Sequence, residues 1–85
     1  MPDRRDVPVS KLLHNIVNAL VDLPEFVIIK NRTAENGMAF AIEVHPDDRG
    51  KVIGKQGRNA QSLRIILSAV GRKLHRRYSI EIDEA

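Results

Sequence analysis

Gly54 and Gly57 stand three residues apart in the run GKVIGKQGRNAQSLR, residues Gly50 to Arg64, and no other feature narrows the fold so far. Glycines this close interrupt a helix, because each brings backbone freedom that a helix has to remove. Yet helical spacing resumes at once. From Arg58 to about His75, Leu63, Ile66, Leu67, Val70 and Leu74 fall on one face. Upstream, His45-Pro46-Asp47-Asp48 reads as a helix start, with proline in the first turn and two acids against the positive end of the dipole. The run therefore encodes a helix of about two turns, a tight glycine turn and a long helix. A helix N-terminus that faces a glycine loop, with Lys55 and Arg58 beside it, is suited to phosphate.

Elsewhere the periods change. Leu13, Ile16, Val17 and Leu20 give a helix over residues 9–22, closed by Pro24. FVIIKNR is β-branched and extended, and Asn36-Gly37 forms the tip of a turn. Met38, Phe40, Ile42 and Val44 then alternate in period two, which completes a hairpin. Tyr78, Ile80 and Ile82 alternate again in a last strand. The order α-β-β-α-α-β predicts an α+β two-layer sandwich, a three-stranded sheet covered by three helices. With 85 residues there is room for one domain, assigned to residues 9–83. Residues 1–8, MPDRRDVP, are polar with two prolines and are expected to be a flexible tail.

Charge is distributed unevenly. Residues 49–77 hold nine of the fourteen basic residues and no acid, while the rest holds five basic residues against all eleven acids. One basic face and an acidic remainder follow, and a basic face attracts polyanions. The chain has no cysteine, so disulfides, thiolate metal sites and cysteine nucleophiles are excluded. MPDRRDVPVSK lacks the apolar stretch of a signal peptide. No apolar run approaches the ~20 residues of a membrane span. The expectation is a cytoplasmic protein that does not engage membranes.

The segment Val52-Ile53-Gly54-Lys55-Gln56-Gly57 resembles the V-I-G-x-x-G core of the K-homology (KH) domain. The element order resembles the type II, bacterial arrangement of that fold. GKVIGKQGR, with HPDD before it and LR after it, is similar to the small single-domain bacterial KhpA family. The resemblance spans roughly Val9 to Asp83. It implies single-stranded RNA as partner, with the GxxG loop clamping the backbone of about four nucleotides. Gly54, Lys55, Gln56 and Gly57 would then hold phosphates, with Lys51, Arg58 and Arg64 around them. Ile53, with Ile42 or Val44, would floor the base groove. The sequence departs from many KH domains in one place: Ala60 occupies a position usually held by a branched aliphatic residue.

Other readings fare worse. A nucleotide-binding P-loop needs Ser or Thr after its lysine, but Val52 and Gln56 stand there. An RNA recognition motif stacks bases on strand aromatics, and only Phe26, Phe40 and Tyr78 exist. His14, His45 and His75 lie on separate elements without metal-ligand spacing. No nucleophile–base pair is discernible, so no catalytic residue, metal or cofactor is expected. Ile65 poses a separate question. At 100° per residue it points away from the core, near Arg58, Ala69 and Arg72. Ile65, Ala69 and Arg72 are the candidate homodimer interface. The resemblance also implies pairing with a larger KH-containing protein of the KhpB (Jag) type. The leading expectation is a dimeric RNA chaperone or post-transcriptional regulator; the alternative is a dimerisation module in which RNA binding is secondary.

Overall fold

The computed structural model describes residues 3–83, which form α1 (Asp6–Leu20), β1 (Ile28–Ala34), β2 (Gly37–Glu43), α2 (Arg49–Ile53), α3 (Arg58–Leu74) and β3 (Tyr78–Ile82). This is the α-β-β-α-α-β order, a three-stranded sheet with three helices. In the sheet β2 is central: β1 pairs with it antiparallel and β3 pairs with it parallel. A parallel neighbour needs a crossover, and α2 and α3 provide it. Met38, Phe40, Ile42 and Ile80 face the helices and pack with Val9, Leu13, Val17, Val52, Leu63 and Leu67. Phe40 is wholly buried and lies 5.3 Å from the Tyr78 ring, centroid to centroid. No described helix is long and apolar enough to cross a membrane.

The opposite sheet face is built on small residues. Ala39 and Ala41 of β2 are buried although they point away from the helices. Their neighbours in register are Lys30 and Arg32 on one side and Glu81 and Ser79 on the other. Arg32 reaches across to Glu81 (2.8 Å) and Asp83 (2.9 Å), roofing the alanines with ion pairs. Lys30 pairs with Glu43 in the same layer.

Several local expectations shift. Helix α1 begins at Asp6, inside the segment expected to be a tail; residues 1–2 of that segment lie outside the described residues. Pro8 is compatible with this start, since first-turn amides have no intrahelical partner to lose. The helix ends at Leu20, and Pro24 opens a separate 3-10 turn, Pro24–Phe26, before β1. Ala34 already pairs with Gly37, so the hairpin tip is Glu35-Asn36, and neither of these residues has a positive φ. Gly37 serves close approach: a Cβ there would lie 2.2 Å from the Arg77 carbonyl oxygen. On α3, Leu63 and Leu67 are buried as expected, but Ile66 is 40% exposed. At 100° per residue it lies about 60° from Leu63 and about 100° from Leu67, on the edge of the buried stripe.

Candidate nucleic-acid interface

Helix α2 stops at Ile53 because Gly54 adopts φ 78°, ψ 169°. Side chains other than hydrogen avoid this region. A Cβ on Gly54 would also stand 2.8 Å from the Asn59 backbone nitrogen. One 3-10 turn, Lys55–Gly57, then redirects the chain into α3, with Gln56 (φ 57°) and Gly57 (φ 73°) both left-handed. Asn59 fastens the turn by donating from Nδ2 to the Lys51 carbonyl at 2.8 Å. That residue escaped the sequence reading, although an amide at the second position of a helix behind a glycine turn is a usable signal.

The loop is open to solvent. Lys55, Gln56 and Arg58 are exposed, and Gly54 and Gly57 are half-buried. Its amides are not all available. Gly54 N–H donates to the Gly50 carbonyl (2.8 Å), and Gly57 N–H donates to the Gly54 carbonyl (3.0 Å). Arg58 N–H donates to the Lys55 carbonyl. The amides of Lys55 and Gln56 open the 3-10 turn, where geometry offers them no intrahelical acceptor. Arg58 leans back over the loop, its Nη2 3.5 Å from Gln56 Oε1.

Lys51 stands differently from the other expected cations. Its ammonium lies between Asp22 (3.3 Å) and Asp48 (3.4 Å), and hydrogen bonds to Asp22 and then Asp48 raise its pKa. Asp48, read from the sequence as a helix-start acid, does not cap its own helix. Its buried carboxylate instead accepts from the Asp22 and Leu23 amides (3.2 and 2.9 Å), which ties the α1–β1 connection to α2. Desolvation pushes its pKa up, but those two amides and Lys51 outweigh it, and the net direction is down. Ile53 is half-buried beside the loop, whereas Ile42 and Val44 are buried in the core. Packed into that core, neither of those two is open to a base.

The chain matches the family model of the KhpA/KhpB KH domain over residues 10–82. It belongs to that family. Similar curated proteins carry the name RNA-binding protein KhpA. The one from Streptomyces coelicolor is 36% identical, covering 87% of this chain and 94% of its own length. That from Clostridium acetobutylicum is 40% identical over 86% and 97%. That from Listeria monocytogenes is 39% identical over 88% and 99%.

Around this KH loop, α3 presents a stripe without a single acid. Arg64 is exposed nearly two turns beyond Arg58. Ile65, at 60%, is the most exposed large apolar residue of the described chain, with exposed Ile66, Ala69 and Arg72 adjoining it on the helix. The acids of the helix–sheet junction are engaged elsewhere. Asp6, wholly buried, accepts from Arg76 (Nε 3.1 Å, Nη2 2.7 Å), from the Tyr78 hydroxyl (2.6 Å) and from the Asp3 amide (2.8 Å). Arg5 adds a bond to the Leu74 carbonyl at 3.0 Å. The start of α1 thus pins the α3–β3 loop across some seventy positions of sequence.

Proposed function

We propose that this chain binds single-stranded RNA, gripping phosphates at Gly54–Gly57 with Lys55, Gln56 and Arg58, and with Arg64 further along α3. The observation that carries this reading is the solvent-open, left-handed GxxG turn, which opens onto an acid-free helix face. Its geometry supports contact through the Lys55 and Gln56 amides plus side chains, in place of all four loop amides. Lys51 contributes to local potential while its main contacts remain Asp22 and Asp48. Family relatives named as RNA-binding proteins support the same assignment. The role is binding, without catalysis, in the cytoplasm, as a chaperone or regulator of RNA.

Lys55→Asp combined with Gln56→Asp tests the clamp. RNA retention on a filter is expected to vanish while thermal unfolding remains cooperative and the midpoint stays within a few degrees. Undiminished RNA affinity in this variant overturns the assignment.

A second surface is part of the proposal. Ile65, Ile66 and Ala69 form an exposed apolar patch, flanked by Arg72, that a second copy of the chain can cover about a two-fold axis. A larger KH-containing family member is the other occupant proposed for it.

A further inference from the structure

Two shallow cavities lie end to end along α3. The first, of ≈ 350 Å³, is lined by Gln61, Arg64, Ile65, Ser68 and Arg72. The second, of ≈ 340 Å³, is lined by Ser68, Arg72, Arg76, Arg77 and Tyr78. They share Ser68 and Arg72, so they form one groove running from the middle of α3 to the α3–β3 loop. Three arginines, Arg72, Arg76 and Arg77, line its far end. Arg76 is already neutralised and oriented by Asp6. Arg72 and Arg77 are exposed and have no carboxylate partner among the described residues. A cavity walled by two uncompensated arginines, a serine hydroxyl and a tyrosine ring is chemically complementary to a phosphodiester.

Its position suggests whose phosphodiester. At 100° per residue Arg58, Gln61, Arg64, Ser68 and Arg72 occupy one stripe about 120° wide. From Arg58 to Arg72 the helix rises about 21 Å. We propose that Arg72 and Arg77, with Arg76 held in place by Asp6, form a second phosphate site that takes the same RNA strand further along its backbone. The inference rests on the loop reading, since it is the loop that delivers the strand to this groove. The footprint is then longer than the roughly four nucleotides that a GxxG clamp covers.

Single-stranded uridine oligonucleotides of about four and about twelve nucleotides test it, the shorter matching the clamp alone. Wild-type protein is expected to hold the longer one at least tenfold more tightly. Arg72→Ala with Arg77→Ala is expected to lose about tenfold on the long oligonucleotide and less than about twofold on the short one. The logarithmic salt slope on the long strand is expected to fall by about 1.4, at about 0.7 per phosphate contact. Arg77→Ala alone, outside the apolar patch, is expected to give about half that slope change with unaltered sedimentation. Equal affinity for both lengths, or full long-strand affinity in the double variant, overturns the second site while the loop reading stands; the cluster would then serve an acidic protein partner. Wild-type protein that retains neither length overturns the loop reading itself.

Discussion

The two loop glycines look equivalent in sequence and are not equivalent in space. Gly54 combines a φ, ψ pair that only glycine tolerates with an Asn59 backbone nitrogen 2.8 Å from where a Cβ would sit. Gly57 has φ 73°, ψ 15°, a left-handed conformation, but nothing within 4 Å of its would-be Cβ. The Gly54→Ala change therefore meets strain and a clash against backbone that cannot rotate away, costing about 3 kcal/mol. The Gly57→Ala change meets only the left-handed penalty, about 1 kcal/mol. Urea unfolding of both variants checks the ordering; equal losses would show that Asn59 yields easily. The identity of the loop was legible because glycine spacing is local information. Its interior hydrogen bonds were not, since the 3-10 turn that spends the Gly57 and Arg58 amides depends on the left-handed Gln56, and glutamine gives no sign of adopting it.

Between elements, the decisive contacts join residues far apart in sequence. Helices and strands were readable because their apolar periods repeat every few residues, although Ile66 falls outside the face its period predicts and Ala39 and Ala41 are buried on the other side of β2. Asp6 declared nothing: beside Pro8 it resembled tail, and its partners Arg76 and Tyr78 are 70 and 72 positions away. The same holds for Asp48, whose carboxylate serves amides at 22 and 23. These buried acids give stability a pH dependence whose sign is fixed. For Asp6, desolvation raises the pKa, but hydrogen bonds from Arg76, Tyr78 and the Asp3 amide hold it below its ordinary 3.8. The contribution is therefore present above pH 3.8 and lost as pH falls below it. Tyr78 is moved in the opposite sense, from 10.0 to about 12, by desolvation first and then by Asp6. Its contribution is full below pH 10.0 and lost as pH rises towards about 12. Asp6→Asn is expected to cost about 2–3 kcal/mol at neutral pH, as charged hydrogen bonds are removed. It is also expected to flatten both limbs of the midpoint-versus-pH curve. An unchanged alkaline limb would mean that burial alone moves the tyrosine.

At the scale of the whole molecule, acids and bases are sorted by task. Glu43, Glu81 and Asp83 hold Lys30 and Arg32 over the outer sheet face, Asp22 and Asp48 hold Lys51, and Asp6 holds Arg76. Of the cations without a carboxylate partner among the described residues, Lys55, Arg58, Arg64, Arg72, Lys73 and Arg77 lie on the loop, on α3 or just past its end, while Arg4 and Lys11 lie before and on α1. Into this basic surface α3 also places Ile65, Ile66 and Ala69. Apolar side chains gain nothing from neighbouring like charges, so their presence there is best accounted for by cover from another chain. The proposed two-fold contact would cover Ile65, Ile66 and Ala69 and leave the GxxG loop and the Arg77 end of each protomer open, so that a single strand can engage both protomers. Ile65→Asp separates these roles. It is expected to convert a sedimenting dimer into a monomer with unchanged far-ultraviolet circular dichroism, because Ile65 supports no core contact of its own chain. Affinity for an oligonucleotide of about four nucleotides is expected to stay within about twofold, since the clamp is untouched. Affinity for a strand long enough to span two protomers is expected to drop at least tenfold, the signature of lost avidity. Wild-type protein that sediments as a monomer at tens of micromolar overturns the two-fold contact and leaves the patch to a different family member. Equal loss on short and long strands would instead show that Ile65, which lines the mid-α3 cavity with Arg64 and Arg72, contacts the RNA directly, and would overturn the separation of the two surfaces.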